Sequence, residues 1–286
     1  MFDFKGKVVV VTGGARGIGK CICERFCAAG ATVCVIDLLD NDYFVGDIAD
    51  KATLEVFAEK VIADHGKVDY LINNAAPKMC GVTEGSYEDF EYALKVGVTA
   101  PFYLSKLLAP YFAEGASIVN ISSSRDRMSQ PETEGYTAAK GGISALTHAL
   151  AVSLAGRVRV NSVSPGWIDN EGMDYKGADA EQQPAGRVGD PADIANMVLY
   201  LCSDMTGCFG GMTRVWNDKG VPVITTCDGP SGVRMESAAK ATCIPVGTLL
   251  ACTWDPELLH KLFDSFADEL IDYSIDVVLA PGINIH

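Results

Sequence analysis

The chain is short of several things. Its 286 residues contain no run of the ~18–20 apolar residues that a membrane-spanning helix needs, so a bilayer span is not expected. Basic residues are in deficit: 23 Lys and Arg against 37 Asp and Glu leave a net charge of −14. Nucleic acids and anionic membranes are held through phosphates by cations, so neither is an expected partner. There are four histidines and ten scattered cysteines with no Cys-x-x-Cys pair, so no metal site is expected. Met1-Phe2-Asp3-Phe4-Lys5 lacks the basic-then-apolar order of a signal peptide. A cytoplasmic location is therefore expected, with the cysteines reduced and serving mostly as small buried apolar residues.

What is present is an ordinary globular composition, 48% hydrophobic and 21% charged, in a chain long enough to bury a large core. Apolar β-branched runs alternate with helical patterns. Strands are expected at Lys7–Val11, Thr32–Ile36, Val68–Ile72, Ser117–Ile121 and Val158–Val163. Helices are expected at Ile18–Ala29, Lys51–His65, Phe90–Ala113 (interrupted or bent near Pro101), Tyr136–Leu154 and Pro191–Leu201. This order predicts an α/β fold: a Rossmann-like doubly wound parallel sheet with helices on both faces. One connection is too short. Only five residues separate Asp37 from Tyr43, whereas a parallel crossover normally takes a dozen or more. The helix expected there is missing, and Tyr43–Val45 is either a short edge strand or no strand.

Two constellations carry chemistry. Thr12-Gly13-Gly14-Ala15-Arg16-Gly17-Ile18-Gly19 joins the first strand to the first helix, where a pyrophosphate meets helix N-terminal amides. Asp37, at the end of the second strand, is placed to accept adenosine ribose hydroxyls and to repel a 2′-phosphate, which favours NAD over NADP. Arg16 is the opposing signal, because a basic residue in this turn suits a 2′-phosphate. Tyr136 and Lys140 are four apart and share a helix face, while Ser123 ends a strand. A phenol titrates near pH ~10, and an ammonium one turn away stabilises the phenolate and lowers that value. Ser123 can then hold a carbonyl oxygen while Tyr136 gives or takes the proton.

These motifs resemble the classical short-chain dehydrogenases/reductases. Thr12–Gly19 resembles that family's TGxxxGxG turn, Asn73-Asn74-Ala75-Ala76 its NNAG segment, and Asn120-Ile121-Ser122-Ser123 its serine strand. Tyr136-Thr137-Ala138-Ala139-Lys140 resembles its YxxxK helix, thirteen residues beyond Ser123. Ser164-Pro165-Gly166-Trp167-Ile168 resembles the segment that packs on a nicotinamide, and Asp47-Ile48 the pair that meets an adenine. The resemblance implies hydride transfer between NAD(P) and a small alcohol or ketone. Ser123, Tyr136 and Lys140 would be catalytic. Gly13, Arg16, Gly17, Ile18, Gly19, Asp37, Asp47, Ile48, Asn74, Ala75, Pro165, Gly166 and Ile168 would bind the cofactor, together with Tyr136 and Lys140.

The chain departs from the family's pattern in three places. Gly97 stands where the family has an asparagine of its proton relay. The crossover helix after Asp37 is missing. Thr206-Gly207 is followed almost directly by Gly210-Gly211, leaving no room for the family's last strand, so a homo-oligomer is expected to be weakened. Beyond it, Asp228-Gly229-Pro230-Ser231-Gly232-Val233-Arg234 and the closing Ala280-Pro281-Gly282-Ile283-Asn284-Ile285-His286 resemble the start of a glycoside hydrolase family three barrel. A strand at Val221–Cys227, a helix at Pro256–Tyr273 and a strand at Ile275–Leu279 predict a βαβ-like tail, too small to close an eight-stranded barrel. Val221–Thr226 is expected to fill the sheet edge left by the lost strand. The expected division is a dehydrogenase domain over 1–215 and a glycosidase-like fragment over 216–286. The two functional readings are an NAD-dependent oxidoreductase and a non-catalytic or defective nucleotide-binding fusion protein.

Overall fold

A computed structural model of the chain describes residues 2–183, 185–206, 226–228, 255–272 and 277–279. Two compact units divide at Gly210/Gly211. In the first, strands β1 (Val8–Thr12), β2 (Thr32–Asp37), β3 (Phe44–Val45), β4 (Val68–Asn73), β5 (Phe112–Ile121) and β6 (Val158–Val163) form one sheet. Its order is β3-β2-β1-β4-β5-β6, and every pair is parallel. The helices are α1 (Gly17–Ala28), α2 (Lys51–His65), α3 (Tyr87–Leu94), α4 (Ala100–Leu108), α5 (Glu134–Ser153), α6 (Ala178–Glu181) and α7 (Pro191–Cys202). This is the doubly wound Rossmann-like fold expected from the alternating pattern.

The period-two geometry of a strand explains β1. Val8 and Val10 point into a core shared with α2 and α4, through Leu54, Phe57, Val61 and Leu104. Val9 and Val11 point into the opposite core, built with Ile22 and Phe26 of α1 and Ile194 and Val198 of α7. A strand covered on both faces has no polar side, which is why it reads as a continuous valine run. All parallel strands end at the same edge of the sheet, and Thr12, Asp37, Asn73 and Ile121 arrive there together.

The short connection after Asp37 is solved by one side chain. Asn41 accepts from the Tyr43 and Phe44 N–H groups at 3.0 and 2.9 Å, and its amide donates to the Leu39 and Phe44 carbonyls at 3.0 and 2.9 Å. This turn replaces the crossover helix, and the strand it returns is only two residues long, pairing Ile36 with Phe44 and Asp37 with Val45.

The long helix is interrupted near Pro101, one of the two forms expected. It breaks before Pro101, in a π-helical segment over Lys95–Thr99, and α4 begins afresh with Pro101 in its first turn. Proline has no N–H to give to the turn before it, so the break falls where the donor is missing. The helix also ends earlier, because β5 starts at Phe112 rather than at Ser117. Of the free cysteines of the first unit, Cys34, Cys80 and Cys202 are buried as expected, but Cys27 is exposed.

In the second unit, β7 (Thr226–Asp228) and β8 (Val277–Leu279) pair in parallel around α8 (Pro256–Asp272), a βαβ-like arrangement. Thr226 pairs with Val277; residues 221–225, Arg234, the 229–234 motif and the 280–286 motif lie outside the described residues.

The start of the sheet rests on Asp69, whose side chain is only 2% exposed. It meets Lys7 at 3.1 Å and Lys67 at 2.8 Å and accepts the Val8 N–H at 2.9 Å. Burial opposes its ionisation, but Lys67, the Val8 N–H and Lys7 together hold its carboxyl below the ordinary carboxylate value. A depressed folded-state value gives stability that is present above pH 3.8 and lost as pH falls through the folded value. Asp69→Asn is therefore expected to destabilise the protein by about 2 kcal/mol at neutral pH. Urea unfolding at several pH values should show that difference shrinking below pH ~4.

Candidate active site

One cleft of about 610 Å³ opens at the carboxyl edge of the sheet. That is within the ~300–1,000 Å³ range of ligand sites. It gathers every site residue singled out in the sequence, from the glycine turn, the ends of β2 and β4, the loop after β3, the end of β5, α5 and the loop after β6.

The turn between β1 and α1 is shaped by close approach. A Cβ on Gly19 would lie 2.0 Å from the Gly13 carbonyl oxygen, and one on Gly13, at φ +69°, would lie 2.8 Å from Ala75 Cα. Thr12 Oγ1 accepts the N–H groups of Asn74 and Ala75 at 3.0 and 3.1 Å, and the Asn74 amide donates to the Thr12 and Gly13 carbonyls at 3.1 and 2.8 Å. The ends of β1 and β4 are thereby tied together beneath the turn. Arg16 occupies the helix N-cap with no side-chain cap, and α1 carries no acidic residue in its first turn. The Ile18 N–H donates instead to Asn170 Oδ1 at 3.2 Å, a neutral acceptor from the loop after β6. With no acidic residue in its own first turn, this helix start suits a phosphate group.

Asp37 stands beside the turn. Its carboxylate accepts the Ala15 and Leu39 N–H groups, both at 2.9 Å, and each oxygen keeps a lone pair for a hydroxyl. The Gly46 N–H donates to the Asp37 carbonyl at 2.9 Å, which brings Asp47 and Ile48 to the cleft. The Tyr92 hydroxyl fixes Asp47 at 3.1 and 3.2 Å from its two oxygens. At the far end lie Pro165, Gly166 and Ile168; a Cβ on Gly166 would meet nothing within 4 Å, so the backbone there faces open space.

Ser123, Tyr136 and Lys140 meet where β5 ends. Ser123 is 8% exposed, and its hydroxyl oxygen accepts the Arg125 N–H at 3.2 Å. Tyr136 and Lys140 lie one turn apart on α5, with Lys140 Nζ 5.5 Å from the centre of the Tyr136 ring. Lys140 is 3% exposed and donates from Nζ to the Ile121 carbonyl at 2.6 Å. Burial pushes its ammonium down from the ordinary 10.5 to about 8.

Gly97 sits in the π segment, facing α5. A Cβ there would lie 2.6 Å from Ala139 Cβ, beside the Tyr136–Lys140 turn, so an asparagine side chain has no room at this position. The small residue and the π segment let the two helices approach closely, and Pro101 contributes no N–H to that turn. Asn170 and Tyr92 are cleft residues that the sequence reasoning missed. Asn170 was signalled only by its place two residues beyond Ile168, and Tyr92 by nothing local. Among the described residues no group of His, Cys, Asp and Glu is arranged to hold a metal ion, and no helix is long and apolar enough to cross a membrane.

A family model described as Enoyl-(Acyl carrier protein) reductase matches residues 13–221. An uncharacterized oxidoreductase of Thermotoga maritima is 36% identical over 248 residues, covering 77% of this chain and 97% of that protein. The 3-oxoacyl-[acyl-carrier-protein] reductase FabG of the same organism is 32% identical over 230 residues, covering 70% and 92%. Among solved structures, an apo SCOR enzyme from Clostridium thermocellum is 39% identical with a TM-score of 0.66, covering 74% of this chain and 97% of that one. A short chain dehydrogenase from Burkholderia cenocepacia in complex with NADP is 26% identical with a TM-score of 0.65, covering 72% and 94%. The match to the family model ends at residue 221, and it does not extend to the glycosidase-like motifs beyond.

Two outcomes follow from the geometry. Gly97→Asn should destabilise the protein by about 1–3 kcal/mol in urea unfolding through overpacking, and Ala139→Gly in the same chain should recover most of the loss. For Lys140 the unfolded state binds more protons than the folded one between pH 8 and 10.5, so stability rises with pH across that window. The ligand-free protein should therefore gain up to about 3 kcal/mol relative to Lys140→Met over it, read from unfolding curves at stepped pH.

Proposed function

The chain belongs to the classical short-chain dehydrogenase/reductase family and is an oxidoreductase of small molecules, and we propose that it interconverts an alcohol and a ketone with NAD(H), using Tyr136 as acid and base. The observation that carries this reading is the convergence of Ser123, Tyr136 and a desolvated Lys140 on the same cleft as the glycine turn. NAD(H), when bound, supplies or accepts the hydride.

The chain's own residues do the rest. The Ser123 hydroxyl holds the substrate oxygen in reach of Tyr136. The Tyr136 hydroxyl gives its proton to that oxygen in reduction and takes it back in oxidation. The Lys140 ammonium, kept from water and from any carboxylate, stabilises the phenolate by charge, an effect that low local polarity strengthens. A backbone carbonyl in the turn around Gly97 offers water a place from which the proton is renewed, without an asparagine. Gly13, Arg16, Gly17, Ile18 and Gly19 hold the pyrophosphate. Asp37 takes the adenosine ribose, Asp47 and Ile48 the adenine, Asn74 and Ala75 the middle of the molecule, and Pro165, Gly166 and Ile168 the nicotinamide. Asp37 favours NAD over NADP because a carboxylate accepts two ribose hydroxyls and repels a 2′-phosphate.

NADH and NADPH fluorescence titrations, with turnover over a panel of ketones, test the proposal. NADH should bind at least about tenfold more tightly than NADPH, a ratio that Asp37→Ser should narrow. Tyr136→Phe should keep NADH binding and lose about 10²–10⁴-fold in turnover. NADH binding with no Tyr136-dependent turnover on any ketone would instead identify a non-catalytic nucleotide-binding fusion protein.

A further inference from the structure

We infer that Ser144 and Asp126 are positioning residues, a latch that holds Ser123 in register with Tyr136 and Lys140; this rests on the function proposed above. Ser144 is the next residue on the face of α5 that carries Tyr136 and Lys140, each four residues from the last. Its hydroxyl lies 2.7 Å from Asp126 Oδ2 and 2.7 Å from Ser122 Oγ. Ser122 Oγ is also 3.0 Å from the Lys140 carbonyl oxygen. A carboxylate only accepts, so Ser144 commits its proton to Asp126 and turns a lone pair towards Ser122. The single Ser122 proton is then shared between Ser144 and the Lys140 carbonyl. The chain of bonds has one direction, and it joins three consecutive turns of the structure: the end of β5, the 3-10 turn at Ser124–Asp126 and the catalytic face of α5.

Ser123 lies between the two points that this latch grips. On the side of β6 the strand end is held by backbone alone, the Ser122 N–H donating to the Val163 carbonyl and the Ser124 N–H to the Pro165 carbonyl, both at 2.8 Å. On the side of α5 it is held by side chains: Lys140 Nζ on the Ile121 carbonyl, Ser122 on Lys140 and Ser144, and Asp126 on Ser144. The Asp126 side chain is 9% exposed, and the nearest cation, Arg127 Nε at 4.0 Å, belongs to a side chain that is 89% exposed. The Ser144 hydroxyl is therefore the short contact that lets a nearly buried carboxylate stay where it is. Asp126 in turn donates its N–H to the Ser123 carbonyl at 3.0 Å, so a shift of Asp126 is passed directly to the catalytic serine. Misplacement by about 1 Å is enough to lower a positioned reaction about 100-fold.

The test compares Ser144→Ala, Ser144→Thr, Asp126→Ala and Asp126→Asn in the full chain. Ser144→Ala and Asp126→Ala should lower kcat about 10- to 100-fold while the NADH dissociation constant stays within about twofold. Ser144→Thr keeps the hydroxyl and Asp126→Asn keeps the acceptor, and both should stay within about threefold of the parent. Amide exchange followed by mass spectrometry should speed up over residues 124–128 in Ser144→Ala and stay unchanged over 13–19. An unchanged kcat in Ser144→Ala overturns the latch, and so does a threonine variant as impaired as the alanine one. Should Ser144→Ala fail to fold, the Asp126 pair decides: equal kcat in its two variants overturns the latch. If the parent protein turns over no alcohol or ketone, the functional reading falls, and the exchange measurement alone judges the latch, with unchanged rates over 124–128 counting against it.

Discussion

An ammonium group is costly to take out of water, and Lys140 is taken out almost completely without a carboxylate to meet it. Its stability in that position comes from a backbone carbonyl of β5, presented at 2.6 Å. That single contact requires the end of β5 and the middle of α5 to be held at fixed distance. Much of what surrounds it serves that requirement. Asn120 Nδ2 donates to Thr147 Oγ1 at 2.9 Å, deeper along the same two elements, and Ala139 lets Gly97 come close from the other side. In the proposed reaction the buried charge has a use, because a cation deprived of water stabilises an adjacent anion more strongly than a hydrated one.

The cleft is divided between two kinds of control. At the glycine-turn end the backbone is the instrument: glycines without Cβ atoms, the amides of a helix start, and a threonine that ties β1 to β4. At the chemical end the side chains are the instrument, and they are buried, short and mutually hydrogen-bonded. The difference follows from what each end must do. A phosphate is recognised by many amides of fixed geometry. Proton transfer needs a few groups whose environment is tuned one at a time.

Much of this was legible in the sequence because its signals are local. The valine run of β1, the glycine turn, and the four-residue spacing of Tyr136 and Lys140 each state a geometry within a few residues. The π segment was not legible as such. A Val-Gly-Val-Thr stretch before Pro101 announces a bend, but its form depends on Ala139, more than forty residues away. The early start of β5 was missed because Phe112-Ala113-Glu114 continues a helical pattern and becomes a strand only by pairing, Phe112 with Val68 of β4. Ser144, Asp126 and Asn170 are common polar residues whose meaning comes only from the partners that the fold brings to them.

The turn built on Asn41 has a consequence for the protein's solubility. A parallel sheet ends in a row of open backbone groups that can recruit a strand from another molecule. Here the carboxyl end of β2, Ile36 and Asp37, is covered by a strand of two residues, and Asp40 and Asp42 flank the asparagine that forms the turn. A strand arriving at that end of β2 would find its place taken and acidic side chains at the border. The residues that dispense with a crossover helix thus also keep a recruited strand away from the cleft end of this sheet edge.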